Sequence, residues 1–265
     1  MDNSVRKQCI VLFPVYKSIS EIEIKCLEQA VIMTEGFTKV FIAPDSLILD
    51  DSFASLSNID VIRFSDKYFE GIAGYNELML SLEFYQRFED YEYMLIHQTD
   101  AYLFKPELSY WCLKGYDYIG APWFKPKKIL KTKIYNFALR FCPFLYTERA
   151  KRRHSLYNNV GNGGLSLRRI SSFKHILEIV PSILLDKYKS NDATDHNEDV
   201  FWGVEAPRLN RAFKKPNWKE ALKFSFEECP SIAYKMNKEQ LPFGCHAFNV
   251  HETDFWKQFI SPLNL

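Results

Sequence analysis

The chain has 265 residues, 47% hydrophobic and 25% charged, which is ordinary globular composition and enough for a sizeable core in a single domain over residues 1–265. Its apolar stretches are too short for a signal peptide or a membrane span, which predicts a cytoplasmic protein, and six scattered cysteines without a CxxC pair predict reduced thiols. A net charge of +1 goes with no expectation of a nucleic-acid partner. Aromatic residues make up 16% of the chain, which serves either a core of large side chains or a stacking surface for sugars and bases.

Residues 9–15 (CIVLFPV) form a short apolar run closed by Pro14, the pattern of a buried parallel strand. A helix is expected next, with Ser20 as its cap and Glu23 three residues on as in a capping box. Ile24, Leu27, Ala30, Val31 and Thr34 follow at helical spacing, and Gly36 is placed to end the helix. Residues 39–43 (KVFIA) and 61–64 (VIRF) read as further strands, separated by the turn-formers Pro44, Asp45, Asp50 and Asp51. This alternation predicts an α/β fold with a mostly parallel central sheet flanked by helices. Residues 74–88 carry apolar side chains at 78, 79, 82, 85 and 88 and are expected to form one helix. The next strand, residues 93–97 (YMLIH), delivers Gln98, Thr99 and Asp100 to its carboxyl end, where open α/β sheets bind ligands.

Charge is distributed unevenly. Between 125 and 153 stand ten Lys or Arg (125, 127, 128, 131, 133, 140, 149, 151, 152, 153) against Glu148 alone, so this stretch is +9 and the remainder is −8. Interleaved Ile129, Leu130, Ile134, Phe137, Leu139 and Phe141 allow either an amphipathic helix on an anionic membrane surface or a lid facing substrate phosphates, at about residues 125–155. Residues 161–168 (GNGGLSLR) read as a glycine-rich turn entering a strand, 196–204 (HNEDVFWGV) as the start of a helix, and 241–248 (LPFGCHAF) as a loop.

Four motifs stand in order: Gln98-Thr99-Asp100, Gly161-Asn162-Gly163-Gly164, Asn197-Glu198-Asp199 and His246. In order and approximate spacing, from about residue 9 to 248, the chain resembles GT-A fold glycosyltransferases, which are Rossmann-like. Within that fold it most resembles a poorly characterised bacterial family found among polysaccharide-synthesis enzymes. The resemblance implies a nucleotide-sugar donor, most often with uridine diphosphate, and a carbohydrate or lipid-linked glycan acceptor, with the enzyme cytoplasmic or peripheral on the inner membrane. It implies inversion, with Asp199 as the base that takes the acceptor proton and Glu198 positioning the acceptor. Asp100 and His246 would hold Mn²⁺ or Mg²⁺, which neutralises the leaving diphosphate. Gly163 and Gly164 let the backbone approach a sugar, and Trp123 would floor the sugar pocket. Pro14, Val15, Tyr16 and Asn76 fall where the fold usually meets base and ribose.

Each position also has an ordinary explanation. Asp100 suits a solvated turn, a lone histidine near the end of the chain is usually structural, and Glu198-Asp199 would stabilise a helix N-terminus capped by Asn197. Tyr16 can cover the core, Asn76 can cap a helix, and Trp123 can be buried. The chain departs from the DxD pattern at Gln98, whose amide accepts a hydrogen bond but contributes no charge. That leaves open a weaker metal site, or a diphosphate neutralised by the basic stretch. It also leaves open a non-catalytic glycan- or membrane-binding protein that kept the fold. A sugar-1-phosphate nucleotidylyltransferase would need an early glycine- and lysine-rich phosphate loop, and PVYKS supplies none.

Overall fold

The apolar run near the start of the chain lies in strand β1 (Lys7–Pro14), which begins with the exposed Lys7 and Gln8 and is apolar from Cys9 onward because both faces are covered there. Cys9, Val11 and Phe13 pack towards helix α1 (Glu21–Met33), against Leu27 and Ala30. Ile10 and Leu12 pack on the opposite face, against Leu78, Met79, Phe84 and Tyr85. Val11, Leu12 and Phe13 are fully buried, and each such side chain stabilises the fold by about 1.5–3 kcal/mol. The computed structural model describes residues 7–123, 156–189 and 196–260. The basic stretch lies outside the described residues, apart from its flanks.

The central sheet comprises β1, β2 (Thr38–Pro44), β3 (Asp60–Phe64), β4 (Tyr91–His97), β6 (Tyr118–Ile119) and β7 (Leu165–Arg169), in the order β3-β2-β1-β4-β7-β6. Pairings among β3, β2, β1 and β4 are parallel, while β7 runs antiparallel to both β4 and β6. The sheet is mostly parallel, as expected. Chain order reverses between β1 and β4, which opens a crevice at their carboxyl ends. A smaller sheet has the order β5 (Ala101–Leu103), β9 (Gly244–His246), β8 (Ser225–Phe226) and backs its own cluster around Tyr102, Phe226, Cys245 and Trp256.

Helix α1 carries the expected capping box: Ser20 N–H donates to Glu23 Oε2 at 2.8 Å, and Glu23 N–H donates to Ser20 Oγ at 3.3 Å. Its end differs from expectation. Thr34 is the C-cap, with its hydroxyl donating to the Ala30 carbonyl at 2.7 Å, and Gly36 (φ +83°) lies in the turn beyond. The helix expected over 74–88 is two helices, α2 (Gly71–Met79) and α3 (Leu82–Gln86). Ser81 breaks the run, because its hydroxyl accepts the Phe84 N–H at 3.3 Å and so caps a new helix. The expected loop over 241–248 contains β9, held between β5 and β8.

No helix among the described residues is long and apolar enough to cross a membrane. Cys9, Cys26, Cys112, Cys229 and Cys245 are free thiols, and Cys142 lies outside the described residues.

Candidate active site

Six segments meet at the crevice. Tyr16 lies two residues beyond the end of β1, Gln98 directly follows β4, α2 brings Ile72, Tyr75 and Asn76, the 161–164 loop leads into β7, a short helix begins at Glu198, and β9 ends at His246. Together they enclose a cavity of about 440 Å³. Tyr16, Phe69, Ile72 and Tyr75 form one wall, Asn162, Gly163 and Gly164 another, and Gln98, Glu198, Asp199 and His246 supply the polar groups. An apolar wall opposite a few convergent polar groups is the usual composition of a ligand site.

Register places the first polar cluster. Gln98 N–H donates to the Gly164 carbonyl at 2.9 Å, and Ala101 pairs with His246 across the small sheet, so the 98–100 turn is pinned between the two sheets. His246 Nε2 lies 3.0 Å from Gln98 Oε1 and 3.2 Å from Asp100 Oδ1. On the other ring edge, Nδ1 lies 3.3 Å from Glu227 Oε1. Burial opposes a charge on His246, but Glu227 and Asp100 outweigh it and hold its pKa up to about 10. Thr99 turns away from the cavity and donates to Glu23 Oε1 at 2.7 Å, tying the turn to the capping box of α1.

These donors fit a small divalent cation. Two cis ligands, each about 2.1 Å from one ion, stand about 3 Å apart, and His246 Nε2 has such a separation from both Asp100 Oδ1 and Gln98 Oε1. A mixed imidazole, carboxylate and amide set suits Mn²⁺ better than Mg²⁺. Among the described residues no group of three or more His, Cys, Asp or Glu is arranged to enclose a metal. The remaining positions would therefore fall to phosphate oxygens and water, as is common for cations that bind with nucleotides.

A buried ion pair places the second cluster. Arg168 on β7 is fully buried and donates from Nη2 to Glu198 Oε1 at 2.9 Å. Its Nε donates to Ser166 Oγ at 3.0 Å and its Nη1 to the Tyr85 hydroxyl at 3.1 Å. Ser166 in turn donates to the Gly163 carbonyl at 2.9 Å. Glycine is required at 163 and 164: a Cβ at 163 would lie 2.3 Å from Glu198 Oε1, and one at 164 would lie 2.1 Å from His246 Nε2. The glycine motif therefore lets the backbone lie against the carboxylate and the imidazole.

Asp199 lines the cavity beside Glu198, and its Oδ1 accepts the Val200 N–H at 2.7 Å. Burial, then the negative charges of Glu198 and Glu227, raise its pKa well above the ordinary carboxylate value. The segment continues as a π turn over Phe201–Glu205, a feature frequent at functional sites.

The remaining expected site residues divide. Tyr16 is half exposed on the cavity wall. Val15 is fully buried in the core and Pro14 is the buried last residue of β1, and neither lines the cavity, because the side chains of a strand with two covered faces are spent on packing. Trp123 packs over Gly161 and Gly203 and is absent from the cavity lining. Asn76 borders the cavity, yet its side-chain oxygen accepts the Glu198 N–H at 3.1 Å and its amide reaches Asn197 Oδ1 at 3.5 Å. It holds the 197–198 turn in place, and Asn197 makes no side-chain cap bond of its own.

Sequence reasoning missed Tyr75, Arg168 and Glu227. Arg168 carried a signal, since a charge inside an apolar strand requires a buried partner. Tyr75 shared a helical face with Ile72, three residues earlier, while Glu227 follows a two-residue strand and carried none.

The fold is that of GT-A glycosyltransferases. It is similar to the crystal structure of an active-site mutant of LgtC, at 12% identity and a TM-score of 0.52, over 89% of this chain and 86% of that one. It is also similar to a glycosyltransferase involved in glycosylation of the major capsid of PBCV-1, at 9% identity and a TM-score of 0.50, over 93% of this chain and 96% of that one. The WbbM bifunctional glycosyltransferase matches at 8% identity and a TM-score of 0.52, over 99% of this chain but 50% of its own length. Residues 58–246 match the family described as protein of unknown function, DUF5672, and the chain belongs to it. No curated protein matches the chain in sequence.

Proposed function

We propose that the protein is a glycosyltransferase that moves a sugar from a nucleotide diphosphate, of which uridine diphosphate is the first choice, to a hydroxyl of a carbohydrate or lipid-linked glycan. The observation that carries this reading is the meeting of Gln98, Asp100 and His246 with Glu198 and Asp199 around one cavity at the β1/β4 crevice of a GT-A fold. Asp199 accepts the proton of the attacking hydroxyl, and the product anomer is inverted. Gln98, Gly163, Gly164 and Glu198 position the sugars, while Tyr16 covers the base. Asp100 and His246 would hold Mn²⁺ or Mg²⁺, which would supply positive charge for the departing diphosphate.

Carboxylates dominate the described part of the site, so a diphosphate needs compensating positive charge there. A donor-hydrolysis and transfer assay across a panel of sugar nucleotides, with and without Mn²⁺, tests the reading, and NMR of the product anomer tests inversion. Turnover of no donor would leave the non-catalytic glycan-binding reading, which Gln98 favours.

Asp100→Ala and His246→Ala are each expected to weaken Mn²⁺-dependent UDP binding by 10-fold or more, since losing even supporting residues of a metal site loses about 10–100-fold. Calorimetry showing equal wild-type UDP affinity with and without Mn²⁺ would remove the metal. The lysines and arginines of 125–153 would then be the source of positive charge. We assign that stretch to an anionic membrane surface, consistent with a lipid-linked acceptor of surface polysaccharide synthesis. Each basic residue near such a surface contributes about 1 kcal/mol. The chain is expected to co-sediment with anionic vesicles at low salt and to be released at high salt; no binding at low salt would leave the stretch facing substrate.

A further inference from the structure

Three buried polar atoms on cavity-lining residues complete no hydrogen bond: His246 Nδ1, which faces the Glu227 carboxylate at 3.3 Å, and two with no charged partner, namely the Tyr75 hydroxyl, whose polar neighbour is the Gln98 side chain, and Glu198 Oε2. Buried polar groups are almost always satisfied, so the last two, in one cavity, indicate groups kept for a ligand. They also differ in what they offer. A phenol can donate, whereas an ionised carboxylate oxygen only accepts.

Glu198 Oε2 is held in a fixed direction. Its sister oxygen is bound by Arg168 at 2.9 Å and is faced by the bare Cα of Gly163, and Asn76 anchors the Glu198 backbone N–H at 3.1 Å. The side chain cannot turn to satisfy Oε2 elsewhere without breaking the pair with a fully buried guanidinium. Tyr75 is set by α2, one residue before the Asn76 that anchors Glu198. Burial first, then the nearby Glu198 charge, push the Tyr75 phenol above its ordinary pKa, so it is a neutral donor at physiological pH.

We infer that Tyr75 and Glu198 form a donor and acceptor pair for ring hydroxyls of a hexosyl group, and that this pair selects a hydroxylated sugar over its deoxy counterpart. The inference rests on the nucleotide-sugar reading and deepens it. A phosphate is excluded as the occupant of this corner, because Glu198 Oε2 would repel it. A sugar hydroxyl suits both atoms, donating to the carboxylate and accepting from the phenol. Sites built to bond a hydroxyl discriminate strongly against analogues that lack it, because their own polar groups are then left unpaired. The hydroxyl can belong to the donor sugar or to the acceptor sugar, and the two sources are separable.

The test is calorimetry on the full chain with Mn²⁺ present. The first arm compares UDP with UDP-glucose, UDP-galactose, UDP-N-acetylglucosamine and their available deoxy analogues. The second arm titrates methyl glucoside and methyl galactoside into the UDP-loaded chain. A sugar is expected to bind in at least one arm, and removal of either partner is expected to lower its contribution about 10- to 100-fold. Tyr75→Phe is the cleaner variant, since its hydroxyl completes no hydrogen bond in the protein and touches only the neutral Gln98 side chain, so that its loss is expected to leave UDP affinity within about twofold and folding intact. Glu198→Gln should reproduce the loss and bring deoxy and parent sugars closer together. Sugar binding unchanged in Tyr75→Phe overturns the pair. UDP binding with no gain from any sugar in either arm overturns it too, while leaving the nucleotide site standing. Failure to bind UDP at all overturns the nucleotide-sugar reading, and the inference with it.

Discussion

Replacing Asp199 with asparagine is expected to lower transfer by about 10²–10⁴-fold while leaving UDP affinity nearly unchanged, because that is the usual contribution of a positioned general base. Asparagine keeps the shape of the side chain, and its carbonyl oxygen can still accept the Val200 N–H that Asp199 Oδ1 takes at 2.7 Å. What it loses is the ability to take a proton. The pH profile supplies a second readout with a definite sign. Burial and the charges of Glu198 and Glu227 raise the Asp199 pKa, so its basic form accumulates only as pH rises through that raised value. In wild type, kcat/KM should climb with pH along a limb lying above the ordinary carboxylate range. The limb should vanish from the residual activity of Asp199→Asn. Near-wild-type turnover in that variant would remove Asp199 from the chemistry, and an unchanged limb would assign the titration to another group.

How much of this was legible in the sequence depends on how far apart the interacting residues lie. β1 and the capping box of α1 were readable because their signals are local: an apolar run, and a serine with a glutamate three residues later. The split between α2 and α3 was missed for an equally local reason, since the apolar period runs straight through Ser81 while its hydroxyl restarts the helix. β9 was not readable at all. It has three residues, and only pairing with Ala101–Leu103 and Ser225–Phe226 makes it a strand. The site behaves in the same way. Each motif was visible, but the meeting of His246 with Gln98 spans 148 positions and depends on the register of the small sheet. Glu227 enters from the same sheet and needed the fold to be seen.

Arg168→Met is expected to destabilise the protein by about 3–5 kcal/mol, the usual effect of breaking a buried ion pair from one side. Arg168 is fully buried and Glu198 is nearly so. Burial works against the guanidinium charge, but Glu198, Tyr85, Tyr118 and Tyr75 more than compensate, so the charge is retained. Methionine fills much of the same volume, which limits the cavity contribution and isolates the electrostatic one. The variant leaves Glu198 without its cation, and Ser166 and Tyr85 without the guanidinium that donates to them at 3.0 and 3.1 Å. Pairing the change with Glu198→Leu removes the stranded charge as well, and replacing both members of a buried pair with apolar residues is often close to neutral. The double variant should therefore recover most of the lost stability in urea unfolding. It should not recover transfer, because the carboxylate facing the cavity is gone. A single variant that loses less than about 1 kcal/mol would mean that the Glu198 charge is relieved without Arg168. A double variant that regains both stability and transfer would separate the ion pair from function altogether.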